Sequence, residues 1–167
     1  LAVGFLPRDS IGEGSDAVTT SDTALGVEFL EYSHTLGLST MQGRGFYYPS
    51  DAAIGKDGRL LVVNRSLDGD SRGVRVTVCN MEGEYFGTFA EFGEDDGQFV
   101  WPTAIAVDGT GRIYVSDEYN NSINVFDSSG GFLSRWGVKG EGAGEFDGPS
   151  GMAFDRDDNL FVVDHKN

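Results

Sequence analysis

This 167-residue sequence predicts an all-β fold, a β-propeller of four-stranded antiparallel blades, on three observations. The chain repeats itself, each repeat divides into four short strand-like segments, and no window of about eleven residues or more carries a helical period. Pro49, Pro102 and Pro149 each follow a phenylalanine (Phe46, Phe99, Phe146) by three residues and precede an alanine (Ala53, Ala106, Ala153) by four. Fifteen residues beyond each proline stand Asn64, Asp117 and Asp164. The spacing is 47 residues from Pro102 to Pro149 and 53 from Pro49 to Pro102. The extra six fall within SLDGDSRG, because Val76-Thr77-Val78-Cys79 matches Ile123-Asn124-Val125-Phe126 beyond it.

Taken in order, residues 1–26 include the stretch RDSIGEGSDAVTTSDTA, polar and without a period, which predicts a poorly ordered segment or linker. Residues 27–42 are expected to supply the outer strand or strands of a preceding blade, since Leu36 stands before Phe46 as Phe89 and Trp136 stand before Phe99 and Phe146. Residues 43–96 are expected to form a blade with a lengthened loop, and residues 97–143 a regular one. In the latter, PTAIAVD, IYVSD, INVFD and FLSRW are runs of apolar, β-branched and aromatic residues, separated by Gly-, Asn-, Asp- and Ser-rich turns. Residues 144–167 are the first half of a further blade. Units of about 40 to 50 residues with four strands each are the signature of propeller blades.

The stretch Gly97–Phe132 resembles the NHL repeat, a pattern of G-x-F-x-x-P-x-x-x-A-x-D, then G-x-x-x-V-x-D, N-x-x-I-x-V-F-D and G-x-F. Gly144–Asn167 matches its first half. The unit from Arg44 departs from it, with Arg44 for the leading Gly, Gly55 for the first Asp and Asn64 for the second. The resemblance implies a six-bladed ring, of which about two and a half to three blades fall within this sequence. A set of blades that does not close leaves strand edges open to pairing, so self-association through those edges is expected if the chain is truncated.

Twenty-seven acidic residues against twelve Lys and Arg give a formal net charge of −15. Such a surface repels phosphates, which argues against nucleic acid, and no run is long and apolar enough to span a membrane. Protein, peptide or small-molecule ligands fit better. Cys79, the only cysteine, matches Phe126 and is expected in the core.

In an antiparallel blade, the link into the first strand and the link between the second and third open on one face. That face gathers Glu91, Glu94, Asp95 and Asp96, then Glu141, Glu145 and Asp147, and also Arg65 in the inserted loop, Trp101, Asp117, Glu118, Asp164 and His165. Arg65, Trp101, Asp117, Glu118, Asp164 and His165 are the candidate ligand-facing residues. Against this, acidic loops are ordinary solvated surface, and an Asp at a strand end accepts hydrogen bonds from its own loop. Trp101 either stacks on a ligand or fills the space between blades. His165 and His34 are the only histidines and form no zinc-ligand spacing. Nor is there a local cue for a Ser-His-Asp nucleophile. The visible sequence requires no cofactor and leaves Ca²⁺ or Zn²⁺ to a full-length parent.

Two functions follow. The first is a binding or scaffolding propeller that recruits its ligand through the acidic loop face. The alternative, implied by resemblance alone, is part of a metal-dependent propeller lyase similar to peptidyl-α-hydroxyglycine amidating lyase. That enzyme needs histidines converging from several blades, and His165 is the weak candidate here.

Overall fold

Residue type and spacing set where each strand begins and ends. The computed structural model describes residues 35–37, 44–67 and 70–167. The segment expected at 1–26 and nearly all of the strand region expected at 27–42 lie outside the described residues. Twelve strands occupy the described part, and no helix occurs there. Four of them, β1 (Pro49–Ile54), β2 (Leu60–Asn64), β3 (Arg75–Cys79) and β4 (Tyr85–Phe89), form an antiparallel sheet in the order β1-β2-β3-β4. A two-residue parallel pair, β5 (Glu91–Phe92) and β6 (Gln98–Phe99), leads out of it. The second four-stranded sheet contains β7 (Pro102–Val107), β8 (Ile113–Asp117), β9 (Ser122–Phe126) and β10 (Phe132–Trp136). The third begins with β11 (Pro149–Phe154) paired to β12 (Leu160–Asp164).

These boundaries keep the sequence repeat throughout. β1 and β2 become β7 and β8 on adding 53, whereas β3 and β4 become β9 and β10 on adding 47. The six-residue difference is confined to the link between β2 and β3. Even the parallel pair recurs, as a bridge between Lys139 and Phe146. The structure is thus made of β-propeller blades.

The equivalent positions 37, 90 and 137 all take a left-handed conformation, and two of the three carry glycine. Gly137 has φ of 97° and lies against the Phe146 ring, so close that an added Cβ would fall 2.6 Å from it. Gly37, at φ of 92°, meets Phe46 in the same way. Ala90 holds the equivalent place at φ of 61°, a left-handed conformation that costs a non-glycine residue on the order of 1 kcal/mol.

The main core lies between the first two sheets: Leu61, Val63, Val74 and Val76 pack with Phe99, Ile105, Ile113, Val115 and Phe126. Burying each of these side chains is worth about 1.5–3 kcal/mol. Cys79 is buried outside this cluster, and burial pushes its thiol pKa up. First strands of successive sheets lie side by side and are tied by small polar groups. Asp51 accepts a hydrogen bond from Ile105 N at 2.9 Å, and the hydroxyls of Ser50 and Thr103 donate to the Pro102 and Pro149 carbonyls at 3.3 and 3.1 Å.

The three repeat alanines differ in burial along the chain. Ala106 is buried and Ala53 half-buried against the core, but Ala153 is exposed. Phe161 and Val163 of β12 are exposed too, because among the described residues no further sheet covers β11 and β12. Trp136 packs on the Phe146 ring at 5.7 Å yet keeps 39% of its surface.

Candidate functional site

A buried anchor at the end of each second strand builds the loop face. Asp117 has no exposed surface. Its carboxylate accepts hydrogen bonds from Val100 N (2.6 Å), Trp101 N (3.1 Å), Tyr119 N (3.0 Å), Asn120 N (3.1 Å) and the Asn120 side-chain amide (3.1 Å). Burial raises its pKa, and the backbone donors work against that rise. Asp164 repeats the arrangement in part, accepting from Asp147 N and from the Asn167 amide at 2.9 and 2.5 Å. Asn64 is equally buried and accepts from Tyr47 N at 2.9 Å. Asp117 and Asp164 therefore fasten the link into each blade to the link leaving its second strand, whereas Asn64 holds only the link into its blade. Asp117 and Asp164 were expected among ligand-facing residues; their oxygens are engaged by the protein's own N–H groups.

The residue after each anchor is held by one shared backbone bond. Arg65 N donates to Tyr48 O at 3.0 Å, Glu118 N to Trp101 O at 3.1 Å and His165 N to Gly148 O at 3.3 Å. Arg65 thus occupies a regular repeat position, with the extra residues following it, rather than belonging to the insertion as expected from sequence. The three side chains differ completely while their backbone stays fixed.

Their contacts run from blade to blade. Arg65 Nε donates to Pro102 O at 2.7 Å, and its guanidinium carbon lies 5.1 Å from the centre of the Trp101 ring. Burial lowers the Arg65 pKa, and the charges of Glu118 and Asp117 offset this. Glu118 meets Lys166 Nζ at 3.0 Å and His165 Nε2 at 3.6 Å. His165 Nδ1 hydrogen-bonds Gly148 O at 2.7 Å. Gly148 makes room for that ring, since a Cβ there would lie 2.7 Å from His165 Cε1. Arg65, Trp101, Glu118 and His165 are therefore one row. Lys166 and Gly148 join it, and sequence reasoning missed both, although placing the repeats in columns pairs Gly148 with Trp101.

The loop acids do not converge. Among the described residues, no group of three or more His, Cys, Asp or Glu side chains could hold a metal ion. Asn64 and Asn120 each head an N-x-S triplet, but one is fully buried and the other's amide bonds Gly93 O and Asp117.

Residues 94–167 match the family model DUF5128, a 6-bladed beta-propeller. Two curated Caenorhabditis elegans proteins are similar over 48 residues, or 29% of this chain: B-box type zinc finger protein ncl-1 at 48% identity and Protein lin-41 at 42%. The chain spans only 6% and 4% of their lengths. Among solved structures, a virginiamycin B lyase from Staphylococcus aureus superposes with a TM-score of 0.51 at 19% identity, over 70% of this chain and 34% of that one. A gluconolactonase from Xanthomonas campestris gives 0.51 at 23%, over 72% and 36%. At such identities the likeness speaks for the fold, and with the repeated four-stranded sheets it makes this chain part of a β-propeller.

Proposed function

We propose that this chain is part of an NHL-type propeller that works as a binding or scaffolding module, taking a protein, peptide or small-molecule ligand on the face that carries Arg65, Trp101, Glu118 and His165. One observation carries the reading. The fold places an anchor side chain, Asn64, Asp117 or Asp164, and the same backbone bond in three successive blades, yet presents a cation, a carboxylate and an imidazole at the next residue. A constant scaffold holding variable side chains in register is the arrangement expected of a surface that reads a ligand. The N–H bonds that saturate Asp117, and the two that hold Asp164, rigidify the loops beneath, which lowers the entropy lost on binding.

The NHL assignment rests on the repeat pattern and on the local similarity to the two nematode proteins. The formal charge of −15 keeps nucleic acid a poor ligand. The lyase alternative draws no ligand set from the described residues, and its nearest support, the shared fold of propeller enzymes, carries no chemistry.

Backbone amide shift mapping of the full chain against mixed small molecules and short peptides tests the proposal. Perturbations should gather at 48, 65, 101, 118 and 165. Perturbations confined to the opposite turns, at 55–59, 80–84, 108–112 and 127–131, would overturn it.

A further inference from the structure

The geometry points to the corner formed by Arg65 and Trp101 as a receptor for a carboxylate attached to a flat group, with the guanidinium forking onto the two oxygens and the indole beside it as a platform. This rests on the binding-face reading above and names the chemistry of its ligand.

Arg65 is positioned but not used up. Its Nε is committed to Pro102 O, which fixes the plane of the guanidinium, and the guanidinium carbon lies over the Trp101 ring, 5.1 Å from its centre. Among the described residues its two terminal nitrogens donate to nothing and it joins no ion pair, so the outward edge of the fork is free. That edge matches the spacing of carboxylate oxygens, and a pre-set guanidinium loses less freedom on binding than a loose one.

The acids that could have neutralised Arg65 are occupied elsewhere. Asp117 is saturated by four backbone N–H groups and the Asn120 amide. Glu118 is drawn to Lys166 and His165 on its other side. In a chain with 27 acidic residues, this half-buried arginine makes no ion pair among the described residues, and its charge favours a ligand of opposite sign. The indole face adds stacking area for a planar substituent next to the acid.

Titration with hippurate tests this directly. The chain holds two tryptophans, so a Trp136→Phe background leaves Trp101 as the reporter. Trp101 emission should change saturably with hippurate, and its neutral amide should bind about tenfold or more weakly, the loss expected for a charge-assisted pair of hydrogen bonds. Arg65→Lys, which keeps the charge and loses the fork, should also cost about tenfold, while Glu118→Gln, which removes a negative charge near the corner, should tighten hippurate binding. A short peptide with a free C-terminus, set against its amidated form, shows whether the acid comes from a chain end or a small molecule; discrimination by either pair supports the proposal. Equal binding of acid and amide, no saturation with either acid, or unchanged affinity in folded Arg65→Lys would overturn it. If carboxylates fail while other ligands shift the amides at 65, 101, 118 and 165, this inference falls and the binding face stands.

Discussion

The first two sheets close the same corner with opposite chemistry. In the second, the link from β8 to β9 is short, residues 118–121, so the N–H groups of Tyr119 and Asn120 turn back onto the strand end. Together with Val100 and Trp101 they form a cup of donors, and a carboxylate fills it. In the first sheet the link runs from 65 to 74, and only Tyr47 N points at the anchor. Asn64 spends its Nδ2 group inward instead, on Val62 O (2.9 Å), Arg75 O (3.2 Å) and Thr77 Oγ1 (3.0 Å). The length of the following link thus selects acid or amide, because a buried group must match the donors and acceptors around it.

Exchanging the two chemistries should have the largest effect. Asn64→Asp would set a carboxylate against two carbonyls and a hydroxyl, at a cost of about 3 kcal/mol in denaturant unfolding. Removing six residues, Leu67 through Arg72, in the same variant should recover part of that loss by restoring the donor cup. A cost below about 0.5 kcal/mol for Asn64→Asp would mean that link length does not govern the anchor.

The strands and their spacing were legible in the sequence because proline, glycine and the strand-end Asn or Asp punctuate them at fixed intervals. The anchors were legible as well, since an Asp closing an apolar strand has few uses other than gathering nearby N–H groups. The pairing of Arg65 with Trp101 was not, because the two are 36 residues apart and belong to different blades. Gly148 was hidden for another reason: its role is to leave space for the His165 ring, and an absent side chain carries no pattern. The inter-blade bonds of Ser50, Asp51 and Thr103 were masked by the ordinary alternation of polar and apolar residues in a strand.

A covered and an uncovered blade give the next largest contrast. Ala106→Leu adds bulk to a first strand buried between its neighbours and should cost about 1–3 kcal/mol. Ala153→Leu makes the same change on the exposed β11 and should lie within about 0.5 kcal/mol of neutral. Equal costs at the two positions would show that strand propensity, and not packing between blades, sets the residue at this point of the repeat.

The smallest effect separates the opposite turns of the same two sheets. Asp108 accepts from Thr110 N and Oγ1, Arg112 N and Nε, and Tyr114 OH, whereas Gly55 stands in its place in the first sheet. Burial disfavours the Asp108 charge, but the hydrogen bonds from Thr110, Arg112 and Tyr114 outweigh it and hold the carboxyl below its ordinary range. A depressed folded pKa means that the stabilisation is present above the unfolded value of about 3.9 and is lost as pH falls through the folded one. Asp108→Asn should therefore cost about 1–2 kcal/mol at pH 7, with the gap to the parent closing as pH drops below about 4. The first sheet has Gly55 at that position, and its turn acid, Asp57, accepts one backbone N–H, that of Arg59 at 3.1 Å, so hydrogen exchange should show the turn at 108–112 loosening in acid more than that at 55–59. Parallel loosening of both turns would place the acid sensitivity elsewhere in the blades.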